Sequence, residues 1–268
     1  MSDDTFSRST ITEDTGPTPT RRGLMAGAAA IGTGAALLAA GQRTAKAQSA
    51  SPDGSGTVPA PAPYAQMLTP DNCVAVLVDY LDGFMPGIRT MSPEAYEASV
   101  QGFVRTVKMF DLPTIVLGDE GGFRGEFFDF VTELFPRDQY VYARRTTPSA
   151  WPSAEFREWI EAQGRQRILI GGISLDNCTS TTSLDLLANG YIPHVVVDAS
   201  GTESALVEQA AMMRLSQAGA VMTNWVQAGS ELLADWNSPQ GPELGALYSE
   251  YSRWGALGVP EAEGGSSG

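Results

Sequence analysis

Six short apolar segments recur along the chain, and they constrain the fold more than any other feature of the sequence. They favour β-branched or aromatic residues and show little alternation between apolar and polar positions. This pattern is typical of strands that are covered on both faces. We therefore predict six strands, at Val74–Val78, Thr114–Leu117, Tyr140–Tyr142, Ile168–Ile170, Val195–Val197 and Ala220–Met222.

Longer amphipathic stretches lie between these strands and carry helix signals at their ends. Pro93–Phe110 follows Ser92, which is a good N-cap residue and places proline at the first helical position. Further helices are predicted from Ser153, over Thr179–Ala188 and over Ser204–Ala218. Strands that alternate with helices form parallel sheets through right-handed crossovers. The sequence thus predicts an α/β protein with a three-layer αβα, Rossmann-like fold around a central six-stranded parallel sheet.

The N-terminal region has the composition of an export signal. The pair Arg21-Arg22 precedes an apolar stretch from Leu24 to Ala40, and Ala45 and Ala47 follow with the small-x-small pattern of a cleavage site. Paired arginines after a threonine indicate the twin-arginine route. A retained membrane anchor is the alternative, because the apolar stretch is about long enough to span a bilayer. Its richness in Gly and Ala makes it only weakly hydrophobic, which favours cleavage.

These features divide the chain into four parts. Residues 1–47 are predicted to be the twin-arginine signal, so that the mature protein is periplasmic or secreted. Residues 48–63 are rich in Ser, Pro, Gly and Ala and are predicted to be a flexible linker. Residues 64–258 have the length of one α/β domain with a sizeable core, and residues 259–268 are predicted to be a disordered tail.

The charge of the mature part limits its partners. Residues 48–268 carry 12 basic and 27 acidic side chains, a net charge of −15. Phosphate backbones and anionic lipid surfaces repel such a protein. We therefore expect a small-molecule substrate, and neither nucleic acid nor membrane binding by the mature form.

Residues with chemically useful side chains follow three of the predicted strands at the edge where a parallel sheet binds ligands. Asp79 ends the first strand, Arg144 follows the third, and Cys178 follows the fourth and opens a helix. A helix N-terminus favours the thiolate form of a cysteine, and a nearby arginine favours it further. A carboxylate can accept the thiol proton and later return it. These residues are the predicted catalytic group.

The second cysteine is expected to have no part in this chemistry. Cys73 lies at the start of the first predicted strand, just before Val74, whereas Cys178 follows the end of the fourth. The two therefore lie at opposite ends of the parallel strands. The separation is roughly 15 Å, beyond the ~7 Å limit for a disulfide. We predict that Cys73 is a buried core residue and that Cys178 is a free thiol.

The order and spacing of Val-Leu-Val-Asp79, Tyr-Ala-Arg144 and Gly-Ile-Ser-Leu-Asp-Asn-Cys178 resemble the isochorismatase-like cysteine hydrolases, especially their YcaC-like branch. The resemblance implies a triad in which Cys178 attacks a carbonyl, Asp79 serves as base and then acid, and Arg144 stands where the family usually has lysine. Arg145 is the alternative occupant of that position. The resemblance also implies a non-proline cis peptide bond at Ile173–Ser174, which would form an oxyanion hole with the Cys178 N–H.

The resemblance also bears on metals and on the substrate pocket. His194 is the single histidine and falls at the start of the fifth predicted strand, so we interpret it as structural and expect neither a metal nor a cofactor. Phe84, Glu120, Phe123 and Trp151 are predicted to line the pocket, although aromatic residues near strand ends also belong frequently to cores.

The expected reaction is hydrolysis of a small amide-, imide- or carbamoyl-type substrate through a thioester. Two alternatives stay open: a non-catalytic thiol-redox or ligand-binding protein on the same fold, and a vinyl-ether hydrolase that tolerates loss of Cys178. The resemblance further implies a homo-oligomer, with an octamer as the form to test.

Overall fold

The computed structural model describes residues 65–143 and 146–254. The predicted signal, linker and C-terminal tail lie outside the described residues, as do Arg144 and Arg145. Six strands form one sheet, with bounds at Cys73–Val78 (β1), Thr114–Leu117 (β2), Val141–Ala143 (β3), Arg167–Gly172 (β4), Ile192–Val196 (β5) and Val221–Thr223 (β6). Each predicted strand overlaps one of these.

All neighbouring strands run parallel, in the order β3-β2-β1-β4-β5-β6. The chain moves outward in one direction from β1 to β3, returns to the centre, and then moves outward in the other direction from β4 to β6. The strand order therefore reverses between β1 and β4. In sheets of this kind, the crevice beyond the carboxyl ends of the strands at such a reversal is where ligands bind.

Helices cover both faces of the sheet. Val74, Val76 and Val78 of β1 pack in one core cluster with helices α3, α4 and α5, while Ala75 and Leu77 pack in the other with helices α1, α2, α6 and α7. The helix bounds are Pro93–Met109 (α1), Asp129–Leu134 (α2), Ala154–Gln163 (α3), Ser180–Ala188 (α4), Ala205–Ala218 (α5), Trp225–Leu233 (α6) and Gly241–Tyr251 (α7). The predicted three-layer α/β fold with a six-stranded parallel sheet is confirmed.

Side-chain caps explain where several helices begin and end. The hydroxyls of Ser92, Ser153 and Ser204 each accept a hydrogen bond from a backbone N–H in the first turn of the helix that follows. Gly164 ends α3 and Gly219 ends α5, both in the left-handed conformation that glycine adopts without a steric penalty. Local signals in the sequence therefore set these boundaries.

Two parts of the structure differ from the prediction. The helix predicted from Thr179 is preceded by a π-helical turn at Leu175–Thr179, so Cys178 lies inside a helical turn and not at its first residue. Helices α2, α6 and α7 were not predicted. Helix α6 begins just after β6, where the Asn224 side chain accepts a hydrogen bond from the Gln227 N–H at 2.8 Å. Among the described residues, no helix is long and apolar enough to cross a membrane.

Candidate active site

Asp79 and Cys178 lie on the segments that follow two adjacent strands at the reversal of strand order; Cys178 lines the cavity described below, and Asp79 is not part of that lining. Asp79 is the first residue after β1, and Cys178 lies in the turn that follows β4, the adjacent strand. The two strands are in register up to their last residues, where Val78 is paired with Gly172. The segments that follow the two strands therefore begin side by side, at the same level along the strand direction.

Hydrogen bonds fix the segment that carries the cysteine. The Gly172 N–H donates to the Ser200 hydroxyl at 3.0 Å, and the Thr179 hydroxyl donates to the Gly172 carbonyl at 3.0 Å. The Ser180 hydroxyl donates to the Leu175 carbonyl within the same turn. The peptide bond between Ile173 and Ser174 is cis, at the position that the family resemblance implied.

Asp79 is held by the backbone in an uncommon conformation. It is 4% exposed and has a φ of 49°, in the left-handed region that aspartate tolerates better than most residues. Its N–H donates to the Leu117 carbonyl at 2.8 Å, and the Leu81 N–H donates to its own carbonyl at 2.7 Å. A strained residue of this kind persists where its surroundings enforce it, frequently at functional sites.

Asp79 is also closely packed against Gly118, the residue after β2. A Cβ atom at Gly118 would lie 3.3 Å from Asp79 Oδ1 and 2.7 Å from the Phe127 ring. The Gly118 N–H donates to the Ala143 carbonyl at 3.2 Å, which ties the end of β3 to this point. Arg144 follows Ala143 directly and lies outside the described residues.

A cavity of about 430 Å³ opens beside Cys178. Three segments that are distant in sequence build most of its wall: the helical turn after β1, the turn that carries Cys178, and the segment after β5. The described lining residues are Phe84, Gly87, Ile88, Phe123, Ile173, Ser174, Asp176, Asn177, Cys178, Gly201, Thr202 and Glu203. Of the four predicted pocket residues, Phe84 and Phe123 line this cavity.

The other two predicted pocket residues are not among its lining. The Glu120 carboxylate forms a salt bridge with Arg137 and accepts a hydrogen bond from the Phe127 N–H at 3.2 Å. These two contacts fix its position outside the cavity lining. The Trp151 ring packs against Phe156 and Tyr191 at centroid distances of 6.4 and 6.0 Å. Trp151 therefore contributes to packing around α3, because the apolar face of that helix offers its ring a large contact.

Several lining residues were not predicted from the sequence. Ile88, Gly201 and Glu203 come from irregular segments that carry no periodic pattern. Two backbone hydrogen bonds bring these segments together: Arg89 N–H to Thr202 carbonyl at 2.8 Å, and Leu175 N–H to Gly201 carbonyl at 3.4 Å. No local signal in the sequence indicates such long-range pairing.

The two cysteines are both free, as predicted, and they occupy different environments. Cys73 is fully buried, and burial raises the pKa of its thiol to about 12. Its Sγ donates to the Thr69 carbonyl at 3.3 Å. Cys178 is partly exposed and lines the cavity. Only the thiol of Cys178 is therefore accessible to a substrate.

His194 lies within β5 and is 1% exposed, away from the cavity. Neither ring nitrogen has a hydrogen-bond partner among the described residues. Burial, assisted by the nearby positive charge of Arg167, lowers its pKa to about 4. Within residues 65–143 and 146–254, no cluster of three or more His, Cys, Asp or Glu side chains is arranged to hold a metal ion.

Asp198, which follows β5, has a perturbed carboxyl group. Burial raises its pKa to about 6, while its Oδ1 accepts a hydrogen bond from the Trp225 N–H at 3.1 Å. This contact satisfies a backbone donor at the start of α6. Asp198 lines a hollow separate from the cavity beside Cys178, so its titration belongs to the packing of α6.

Comparison with known proteins identifies the family. The isochorismatase domain model matches residues 74–227, a range that includes Asp79 and every described lining residue of the cavity. YcaC of Escherichia coli K12, described as a probable hydrolase, is 31% identical over 191 residues, which cover 70% of this chain and 90% of the relative.

Two solved structures extend this match. YcaC from Pseudomonas aeruginosa, solved with hexane-2,5-diol and covalent acrylamide, is 31% identical with a TM-score of 0.67, over 72% of this chain and 95% of that chain. The E. coli YcaC structure, described as an octameric hydrolase of unknown specificity, is 29% identical with a TM-score of 0.67, over 71% and 93%. The chain belongs to the isochorismatase family of hydrolases, in its YcaC-like branch.

Proposed function

We propose that this protein hydrolyses a small amide-, imide- or carbamoyl-type substrate with Cys178 as the nucleophile. The observation that carries the proposal is the position of Cys178: it lines the cavity and lies shortly after β4, next to β1, the strand that Asp79 follows. A thiol and a buried carboxylate on adjacent strand ends are the two groups that covalent hydrolysis of a C–N bond needs.

In the proposed first step, Asp79 accepts the Cys178 proton and the sulfur attacks the carbonyl carbon. The C–N bond breaks as the tetrahedral intermediate collapses, the amine leaves with the proton from Asp79, and a thioester remains on Sγ. Asp79 then accepts a proton from water, whose oxygen attacks the thioester. The acid is released and the proton returns to the thiolate.

Backbone N–H groups and an arginine complete the proposed site. The N–H groups of Cys178 and Ser174 are proposed to stabilise the oxyanion. The Ile173 N–H, predicted as part of this group, is not available, because it donates to the Val78 carbonyl at 3.0 Å. Arg144 is proposed to stabilise the thiolate and to orient Asp79, without transferring a proton, because a guanidinium stays protonated. The hydrogen bond from Gly118 to Ala143 supports this role, since it holds the residue before Arg144 next to a neighbour of Asp79.

A relative provides chemical support. The P. aeruginosa YcaC structure contains covalent acrylamide, and acrylamide is an electrophile of the kind that thiolates attack. We propose that the cavity of this chain has the same kind of reactivity.

The test compares two cysteine variants on a panel of small amides, imides and carbamoyl compounds. We expect Cys178→Ala to lower ammonia or amine release by at least about 10³-fold while circular dichroism stays unchanged. Cys73→Ala is the matched control and should retain activity per folded molecule. Full activity of Cys178→Ala on these compounds would reject Cys178 as the nucleophile.

The alternative function, a thiol-redox or ligand-binding protein, has its own signature. Its supporting observation is that Cys178 is a free, partly exposed thiol. Peroxide treatment followed by a sulfenic-acid probe would label Cys178 reversibly in that case, with no turnover of any panel compound. Turnover that depends on Cys178 would exclude a purely redox role.

We also propose that residues 1–47 direct export by the twin-arginine route. In a bacterial host, replacement of Arg21 and Arg22 by lysines should retain the protein in the cytoplasm, and mass spectrometry of the exported protein should give a start near residue 48. An exported protein that keeps its N-terminus would support the anchor.

A homo-oligomer is proposed for two reasons: the octamer described for E. coli YcaC, and an exposed apolar strip on α5. Leu206 and Met213 are 77% and 62% exposed, and their spacing of seven places them on one face of the helix. Light scattering should give a mass of several chains, and Leu206→Glu should lower it if α5 is an interface. A monomer at micromolar concentration would contradict the proposal.

A further inference from the structure

The cavity beside Cys178 has two kinds of wall. One is apolar and is formed by Phe84, Ile88, Phe123 and Ile173, with the two phenylalanine rings edge to face at 6.1 Å. The other includes two acidic residues, both exposed to solvent. Asp176 lies in the same π-helical turn as the cysteine, and Glu203 lies on the segment after β5.

No positive charge on the described lining balances these carboxylates. Neither Asp176 nor Glu203 forms a salt bridge within the part of the chain that the structure describes, and none of the described lining residues is Lys, Arg or His. Arg124 is nearby, but its guanidinium stacks 4.9 Å from the centroid of the Phe123 ring and is not part of the lining. Arg144 lies outside the described residues; under the proposed function its charge offsets those of Asp79 and the thiolate and leaves the two acidic lining residues without a counter-charge.

We infer that this site selects uncharged or cationic substrates with an apolar group and discriminates against substrates that carry a carboxylate. That the substrates are amides rests on the proposed function; the charge selection rests on the cavity. A cavity of about 430 Å³ is roughly as wide as the Debye length, which is ~8 Å at physiological salt. Dissolved ions therefore screen the charges of its lining residues incompletely. A carboxylate substrate would meet two like charges there.

The charge at Cys178 can be measured without any knowledge of the substrate. Two methanethiosulfonate reagents differ only in their charged end, trimethylammonium-ethyl or sulfonato-ethyl. The thiolate attacks the sulfenyl sulfur, a disulfide forms, and methanesulfinate leaves. Each rate on the native protein is divided by the rate on 2-mercaptoethanol, which removes the intrinsic difference between the reagents. Cys178→Ala establishes that the signal comes from this thiol.

We expect the normalised rate of the cationic reagent to exceed that of the anionic reagent by about tenfold or more at low salt. Asp176→Asn and Glu203→Gln should each lower this ratio by about threefold, and added salt should lower it too. Glu243→Gln is the matched control, because it removes one exposed carboxylate outside the cavity and should leave the ratio unchanged.

Three results would overturn the inference: a faster anionic reagent, a ratio that both cavity variants leave unchanged, or a native thiol that neither reagent modifies. The outcome is separable from that of the proposed function. A protein that prefers the cationic reagent but hydrolyses no panel compound would keep the charge selection and reject the hydrolase. Turnover of carboxylate-bearing amides in preference to their neutral analogues would do the reverse.

Discussion

The two cysteines lie at opposite ends of the parallel strands, and the contrast between them shows how position in the fold determines the reactivity of a thiol. Cys73 begins β1, where the strand enters the sheet between packed helices; it is fully buried, and burial raises its pKa to about 12. Cys178 follows β4, where the strand order reverses and a crevice opens. A cysteine is therefore a core residue at the amino ends of the strands and an accessible thiol at their carboxyl ends.

The largest expected effect is a difference in alkylation. At pH 8 a thiol with a pKa of about 12 is thiolate in only about 1 molecule in 10⁴, and burial excludes the reagent as well. Iodoacetamide should therefore label Cys178 at least about 10³-fold faster than Cys73 in the native protein, as peptide mass spectrometry would measure. In urea the two rates should converge. Comparable native rates would remove the contrast.

The next effect concerns Asp79, at the carboxyl end of β1. Asp79→Asn keeps the shape of the side chain and tolerates a φ of 49°, but it cannot accept a proton. We expect the activity that depends on Cys178 to fall by about 10²–10⁴-fold. Asp111→Asn is a matched control, because Asp111 is an exposed aspartate with a φ of 48°. Equal losses in both variants would point to backbone effects.

The stability of the protein should depend on pH through His194, which is buried within the sheet. Its folded pKa of about 4 lies below the unfolded value, so the unfolded state binds more protons between about pH 6.5 and 4. Its contribution to stability is therefore complete above about pH 6.5 and falls by up to roughly 3 kcal/mol as the pH drops to about 4. His194→Leu should remove this slope in urea titrations at several pH values. An unchanged slope would contradict the account.

The titration of Asp198 should change the stability with pH in the opposite direction to that of His194, so variants are needed to separate the two effects. Its folded pKa of about 6 lies above the unfolded value, so its contribution is full at low pH and is lost as the pH rises through about 6. In the His194→Leu variant, stability should thus decline between about pH 4 and 6. Asp198→Asn, which keeps an acceptor for the Trp225 N–H, should abolish that decline.

The smallest expected effect concerns the hydrogen bonds that hold the Cys178 segment. The Ser200 hydroxyl accepts from the Gly172 N–H and donates to the Val196 carbonyl at 2.8 Å, both in buried surroundings. Ser200→Ala should lower the free energy of unfolding by about 1–3 kcal/mol. Ser249→Ala, which removes an exposed hydroxyl bonded to the Gly245 carbonyl, should cost less than about 0.5 kcal/mol. Equal costs would show that the Ser200 hydrogen bonds add no particular stability.

The sequence predicts the sheet well because its strands are buried on both faces. Each apolar run is a continuous signal, and the caps at Ser92, Ser153 and Ser204 act over a few residues. The least accurate strand is β5, predicted at Val195–Val197 and observed at Ile192–Val196. Pro193 and His194 interrupt its apolar run, and proline is rare inside strands.

The site is only partly predictable for a physical reason. Asp79 and Cys178 follow strands, so the strand pattern locates them. Ile88 and Glu203 reach the cavity from irregular segments, which long-range backbone hydrogen bonds position and no local pattern indicates. Trp151 illustrates the converse, because an aromatic residue near a strand end packs equally well in the core.

The most direct test of the central claim is the mass of the protein during turnover. A panel amide that is hydrolysed should, after acid quenching within milliseconds, leave the mass of its acyl group on the peptide that contains Cys178. We expect this adduct in the native protein and in Cys73→Ala, and its absence in Cys178→Ala. Steady turnover with no adduct on sulfur, or undiminished turnover by Cys178→Ala, would contradict the central claim.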